Sequence, residues 1–121
     1  MKPSEIIAND PETQKVGAAK VLAGISKLVK SGQGIILQRR NTVLLVIAID
    51  KHVAEVHIYS VDKPVGIGVA MKYFQQQLID SEIRRVYGSA PLSSPIMRLM
   101  GMMGIQVMKS DKPNYTWMAN V

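Results

Sequence analysis

The chain contains no cysteine, which excludes disulfide bonds, a catalytic thiolate and a zinc site with cysteine ligands. It has only two histidines, His52 and His57, so we do not expect a histidine-rich metal centre. Aromatic residues make up 5% of the sequence, which argues against a platform for stacking nucleic-acid bases. No apolar run approaches the roughly 20 residues of a membrane-spanning helix, and no signal-peptide pattern is present. We therefore expect a cytoplasmic protein without a membrane partner.

The residues that are present predict one globular domain with a basic surface. Hydrophobic residues make up 47% of the 121 positions, which suffices for a core. Fifteen lysines and arginines against nine acidic residues give a net charge of +6, which favours an anionic partner such as a phosphorylated cofactor, a nucleic acid or an acidic protein. The positive charges are spread along the chain, with doublets only at Arg39-Arg40 and Arg84-Arg85, so direct nucleic-acid binding is weakly supported.

The order of predicted elements indicates an α/β fold of the α+β type. Residues 1–12 contain two prolines and are predicted to form an N-terminal arm with at most one short turn, ahead of a single domain at 13–121. Apolar periodicity then predicts three helices, at 13–31, 69–79 and 96–103. β-branched and alternating segments predict strands at 35–39, 42–50, 53–61, 84–89, 105–109 and 115–119. The result is a mixed, mainly antiparallel sheet of five or six strands.

Two glycines lie where the third strand gives way to the second helix, in the segment Lys63-Pro64-Val65-Gly66-Ile67-Gly68. Glycine admits close approach to the main chain, and the exposed N–H groups at the positive end of the helix dipole favour a phosphate. The helix itself, predicted to begin at Val69, is expected to bury Val69, Phe74, Leu78 and Ile79. A short Gly-x-Gly is a weak signal alone, so the prediction of a phosphate site depends on its position between a strand and a helix.

From about Thr13 to Asn120 the chain resembles the GNAT-type N-acetyltransferase superfamily. Lys63–Gly68 matches the family loop Arg/Gln-x-x-Gly-x-Gly/Ala, with lysine at the first position. The resemblance implies a GNAT-like sheet in which the edge of the third strand from Val56 to Ser60 is important. The strand is expected to splay from its neighbour, beginning at Ser60-Val61-Asp62, so that the gap admits the pantetheine arm of acetyl-CoA. The resemblance also implies that the pyrophosphate is held by Lys63, Val65, Gly66, Ile67, Gly68 and Val69. Ser93 falls near the usual position of a family asparagine.

The family's usual tyrosine, which protonates the departing thiolate, falls at Met100, which has no proton to donate. Tyr87 and Tyr115 are candidate substitutes. Glu55 and His57 lie on one face of the third strand, about 7 Å apart along it, and either is a candidate general base. The alternative interpretation is that Glu55 and His57, together with Tyr59, form the solvent-facing side of a half-exposed strand.

Two functional hypotheses follow from the resemblance. In the first, the chain moves an acetyl group from acetyl-CoA to a small-molecule or protein amine. In the second, it is a catalytically silent structural or binding protein with the GNAT fold, such as a phage virion component located in the virion or host cytoplasm. The methionines bear on this choice, because they either fill the core or present an apolar surface to a second copy or a virion partner. Five of them lie close together, at Met97, Met100, Met102, Met103 and Met108.

Overall fold

The computed structural model describes residues 1–121, which form five helices and six strands. In chain order the elements are α1 Pro3–Asn9, α2 Pro11–Val16, α3 Ala18–Lys30, β1 Gly34–Arg39, β2 Thr42–Asp50, β3 Val53–Ser60, α4 Pro64–Asp80, β4 Arg85–Gly88, α5 Pro95–Met102, β5 Val107–Lys109 and β6 Trp117–Asn120. None of the helices combines the length and apolarity needed to cross a membrane.

The strands form one sheet in the order β1-β2-β3-β4-β6-β5. Every neighbouring pair is antiparallel except β3 and β4, which are parallel. This confirms the predicted mixed, mainly antiparallel sheet. The first half of β2, residues 42–46, is buried on both faces because helices cover both sides of the sheet. One core lies beneath α4 and α5, around Phe74 and Trp117; the other lies beneath α1 and α3, around Ile6 and Leu45.

The predicted N-terminal arm with at most one short turn is wrong, because residues 3–9 are helix α1. Its two isoleucines, Ile6 and Ile7, are only 0% and 1% exposed and pack against the sheet. Pro3 and Pro11 each occupy the first turn of a short helix, where a proline costs no hydrogen bond, so they start helices here rather than prevent them.

The predicted first helix is also divided into α2 and α3. Gly17 separates them with φ +116°, a conformation that favours glycine. The Asp10 carboxylate caps α2 by accepting the N–H groups of Glu12 and Thr13. These short helices raise the number of helices from the expected three to five.

Helix α4 starts at Pro64, five residues before the predicted start, so the two glycines lie in its first turns rather than in a preceding turn. Residues spaced four apart form its buried face. They are Gly66, Ala70, Phe74 and Leu78. The predicted burial of Val69 and Ile79 is wrong; their side chains are 42% and 45% exposed on the other faces.

The methionines of the α5 region divide between core and surface. Met97 and Met100 are buried in the core beneath α4 and α5. Met102 is 84% exposed, so the last turn of α5 presents an apolar side chain to solvent. Met100 packs among apolar residues and cannot replace a catalytic acid.

Candidate functional site

Strands β3 and β4 stay paired over only three residues and then separate. The pairs join Val53–Glu55 to Arg85–Tyr87, and β4 ends at the next residue, Gly88. The rest of β3, from Val56 to Ser60, has no strand on that side. The expectation that the strands diverge near Ser60 and Val61 is therefore corrected, because the short β4 places the divergence immediately after Glu55.

The open edge of β3 carries main-chain groups available to a ligand. The Val61 N–H donates to the Asn41 carbonyl at 3.1 Å, so the main-chain groups of Val61 point towards β2. Because main-chain groups alternate in direction along a strand, those of Ser60 and Ile58 point the opposite way, towards the gap. The Ser60 N–H is occupied, since it donates to Asp10 Oδ1 at 2.9 Å. Ile58 is therefore the residue beyond Glu55 best placed to pair with an inserted chain.

Glu55 lies where the gap begins and is the centre of a cluster of side chains. His57 Nε2 is 2.5 Å from Glu55 Oε2, and the Tyr115 hydroxyl donates to Glu55 Oε1 at 2.6 Å. Burial pushes the pKa of Glu55 upwards, but the hydrogen bonds from Tyr115 and His57 and the charge of His57 outweigh it, so this pKa lies below its ordinary value. Glu55 is therefore ionised at neutral pH.

The two predicted candidate bases are thus in contact, and neither is freely exposed. The Glu55 and His57 side chains are 22% and 32% exposed. Tyr59, on the same face of β3, packs against the core beneath α1 and α3. Burial, with the charges of Asp10 and Glu55, raises the pKa of Tyr59. This face of the strand is half-covered rather than solvent-facing.

The two candidate tyrosines have different partners. The Tyr115 hydroxyl bonds to Glu55, which together with burial raises the pKa of Tyr115 to about 12. The Tyr87 hydroxyl donates instead to Asp111 Oδ1 at 2.7 Å. The two rings lie 5.4 Å apart between centroids, so Tyr87 supports the ring of Tyr115 from the side. Only Tyr115 belongs to the cluster around Glu55.

The first turn of α4 presents main-chain donors beyond the end of β3. The first hydrogen bond within this helix joins the Ile67 N–H to the Lys63 carbonyl, and the N–H groups of Val65 and Gly66 have no partner. Lys63 is exposed, and no side chain caps the helix. A Cβ on Gly68 would meet only Leu99, at 3.9 Å. Lys63 and Val65 are exposed at the start of this helix, whereas Gly66 is buried next to Asp62.

The remaining predicted residues are distributed around this helix and strand. Val61, Val69 and Ser93 are exposed, and Ile67 packs against the core. The Ser60 hydroxyl is buried and lies 2.7 Å from the Thr42 hydroxyl.

A polar network next to Ser60 was not predicted. Asp62 Oδ2 accepts the Thr42 hydroxyl at 2.8 Å and the Asn41 N–H at 3.0 Å, and the Ser60 hydroxyl accepts the Asp62 N–H. A signal was present in the sequence, because Thr42 and Ser60 are polar residues at the ends of strongly apolar strands. Only the strand register shows that they meet.

No protein-family model matches the sequence, and no curated protein matches it significantly. Solved structures are similar in fold, among them the N-acetyltransferase PseH of Campylobacter jejuni in complex with acetyl coenzyme A. That match has a TM-score of 0.58 and 12% identity, and covers 100% of this chain and 92% of PseH.

Two further solved structures support the same fold. The PaiA N-acetyltransferase of Thermoplasma acidophilum, in complex with coenzyme A, gives a TM-score of 0.55 at 12% identity over 90% of this chain and 74% of its own. The IAA acetyltransferase of Bacillus cereus gives 0.58 at 10% identity over 98% and 89%. The chain therefore has the GNAT-type fold that its motif and element order predicted.

Proposed function

We propose that this chain is a GNAT-type N-acetyltransferase that transfers the acetyl group of acetyl-CoA to an amine. The observation that carries this proposal is the position of the Glu55–His57–Tyr115 cluster at the point where β3 and β4 separate. The start of α4 lies at the other end of the open β3 edge. The similar folds of PseH and PaiA, which bind acetyl coenzyme A and coenzyme A, support the same assignment.

Acetyl-CoA, as a substrate, would be held by the main chain. The unpaired N–H groups of Val65 and Gly66, with the charge of Lys63, suit its pyrophosphate. The open edge of β3 at Ile58 suits the amides of its pantetheine arm, which would bind as an added strand. Gly68 leaves the helix surface open for this approach. Val61, Val69 and Ser93 are exposed and complete the proposed contact surface.

In the proposed chemistry the Glu55 carboxylate positions His57 as the base. With Glu55 ionised, His57 Nε2 donates to it and Nδ1 is left to accept a proton. The amine loses that proton to His57 as its nitrogen bonds to the acetyl carbon and the carbon–sulfur bond breaks. The departing thiolate then takes the proton from the imidazolium, which restores the base. Tyr115 stays protonated and holds the second oxygen of Glu55 in place.

Binding and turnover test this proposal separately. Calorimetric titration with acetyl-CoA should show saturable binding that is lost in Gly68→Trp, because the indole would cover the open helix surface. Gly24→Trp is the matched control, since Gly24 is exposed on α3 with nothing within 4 Å of its Cβ position. Wild type showing no binding at millimolar acetyl-CoA would overturn the proposal.

Release of free CoA thiol with a panel of amines measures turnover. His57→Asn and Glu55→Gln should reduce kcat by on the order of 100-fold with acetyl-CoA binding intact, as expected on removing a base. Equal turnover by wild type and both variants would exclude the assigned roles of these two residues.

Met100 supports a second candidate function. A buried methionine stands where the resemblance places the catalytic tyrosine, and Met102 on the same helix is 84% exposed. A silent binding protein with this fold would be consistent with both features. It is distinguished by acetyl-CoA binding without turnover on any amine, together with self-association that Met102→Lys abolishes in sedimentation measurements.

A further inference from the structure

The carboxylate of Asp62 lies against the first turn of α4. A Cβ on Gly66 would come within 3.1 Å of Asp62 Cβ and 3.2 Å of its Cγ, so Gly66 is the residue that leaves room for this side chain. Asp62 Oδ1 is 3.5 Å from the same position and has no hydrogen-bond partner. One unpaired carboxylate oxygen thus lies beside Gly66, in the first turn of α4, where the N–H groups of Val65 and Gly66 have no partner.

Hydrogen bonds fix Asp62 in this position. Its Oδ2 accepts from the Asn41 N–H and the Thr42 hydroxyl, and its own N–H donates to the Ser60 hydroxyl. Thr42 is fully buried, and Ser60 is 9% exposed. The carboxylate is held by Asn41 and Thr42, and the main chain of Asp62 is held by Ser60. The side chain does not swing aside without breaking its two bonds, so its negative charge stays at the start of the helix.

A fixed carboxylate has opposite effects on folding and on anion binding. A negative charge near a helix N-terminus stabilises the helix. The same charge repels a second anion brought to the same N–H groups. Lys63 is the neighbouring residue and offsets this repulsion only in part, because its side chain is exposed to water.

We propose that Asp62 is a specificity-determining residue, because its carboxylate occupies part of the position that a bound anion would otherwise take at the start of α4. The chain then gains little affinity from the pyrophosphate of acetyl-CoA and recognises its thioester donor mainly through the pantetheine arm. This inference rests on the proposed function and concerns the choice of donor.

The test compares acetyl-CoA with S-acetyl-pantetheine, which lacks the pyrophosphate and nucleotide. Wild type should bind the two within about threefold of each other. Asp62→Asn should bind acetyl-CoA about tenfold more tightly than wild type, which corresponds to about 1.4 kcal/mol. Its affinity for S-acetyl-pantetheine should not change. The asparagine oxygen still accepts from Asn41 and Thr42.

Two further measurements distinguish this role from a purely structural one. Asp80→Asn removes the same charge about 24 Å away, at the other end of α4, and should leave the affinity ratio unchanged. Asp62→Asn should also lower the thermal stability, because the helix loses its favourable charge. A structural role alone would lower stability without changing the ratio. Asp62→Ser, whose hydroxyl oxygen also accepts, replaces the amide variant if that variant does not fold.

Each outcome bears on the two proposals differently. A wild type that binds acetyl-CoA far more tightly than S-acetyl-pantetheine, or an Asp62→Asn variant without a gain, overturns the role of Asp62 and leaves the acetyltransferase proposal standing. Tighter acetyl-CoA binding by Asp62→Asn without turnover on any amine supports the role of Asp62 and contradicts the enzyme. If no variant binds either thioester at millimolar concentration, both proposals are wrong.

Discussion

Gly88, the last residue of β4, lies directly against the indole of Trp117, and Gly88→Ala tests how rigid this contact is. A Cβ on Gly88 would come within 2.2 Å of Trp117 Cε2 and 2.3 Å of Nε1. Ordinary contact begins at 3.4 Å, so the indole or the end of β4 must shift by about 1 Å. The displacement falls in the core, because Trp117 is 3% exposed and belongs to the cluster beneath α4 and α5.

The expected cost follows from this overlap. Overpacking a close-packed core typically costs about 1–3 kcal/mol, and a rigid ring pressed against main chain belongs at the upper end. Replacing glycine by alanine also restricts the unfolded chain, which stabilises the folded state by about 0.4–1 kcal/mol and offsets part of this cost. We therefore expect Gly88→Ala to lower the free energy of unfolding by about 2 kcal/mol.

Denaturant unfolding followed by tryptophan fluorescence measures this directly, because Trp117 is the only tryptophan in the chain. Gly24→Ala is the control and should raise stability by about 0.5–1 kcal/mol, since nothing lies within 4 Å of the added methyl group. A Gly88→Ala protein within about 0.5 kcal/mol of wild type would refute the reasoning. It would show that the indole of Trp117 moves easily, and that the end of β4, which borders the gap between β3 and β4, is easily displaced.

Four further predictions concern the cluster and the N-terminal helices. Folding lowers the pKa of Glu55. The contribution of Glu55 to stability is therefore fully present above pH 4.5, and it is lost as the pH falls through the lower pKa of the folded state. Acid unfolding of Glu55→Gln should therefore be less steep than that of wild type below pH 4.5. In the same variant, ultraviolet titration should show the pKa of Tyr115 falling from about 12 towards 10, and an unchanged titration would contradict the hydrogen bond. Ile6→Ala should cost about 2–5 kcal/mol in thermal or denaturant unfolding, whereas exposed Ser4→Ala should be nearly neutral; equal effects would mean that α1 does not pack. Gly17→Ala should cost about 1 kcal/mol by the same assay because φ is +116°, and a stabilised variant would show that the break between α2 and α3 has another cause.

The sheet could be predicted from the sequence because its signals are local. The β-branched run of β2 and the alternation of β3 place both strands within a residue of their observed bounds. The short N-terminal helices could not be predicted in this way. Their isoleucines are adjacent rather than spaced by helical turns, and α1 has only seven residues, so periodicity gives no signal. Their burial depends on packing against β2.

The site was predictable in part for the same reason. Glu55 and His57 lie two residues apart on one strand, so their proximity follows from strand geometry. Tyr115 lies 60 residues from Glu55 in the sequence, and only the order of β4 and β6 brings it to the same carboxylate. The position of Asp62 against Gly66 likewise depends on where α4 begins, and the apolar pattern predicts that start five residues too late.

The side-chain cluster around Glu55 and the start of α4 differ in what their charges favour. A strand that served only to hold the sheet would be more stable with an apolar residue at Glu55, because a half-buried carboxylate must be partly desolvated. The chain instead has a carboxylate there with a donor on each of its two oxygens. At the start of α4, by contrast, a carboxylate held in place by hydrogen bonds would repel the pyrophosphate of the proposed donor. If both proposals hold, the weakened contact with the pyrophosphate raises KM for acetyl-CoA, whereas kcat depends on the cluster around Glu55. Turnover should then appear only at high acetyl-CoA concentration, and an assay at micromolar donor would mistake this enzyme for a silent protein.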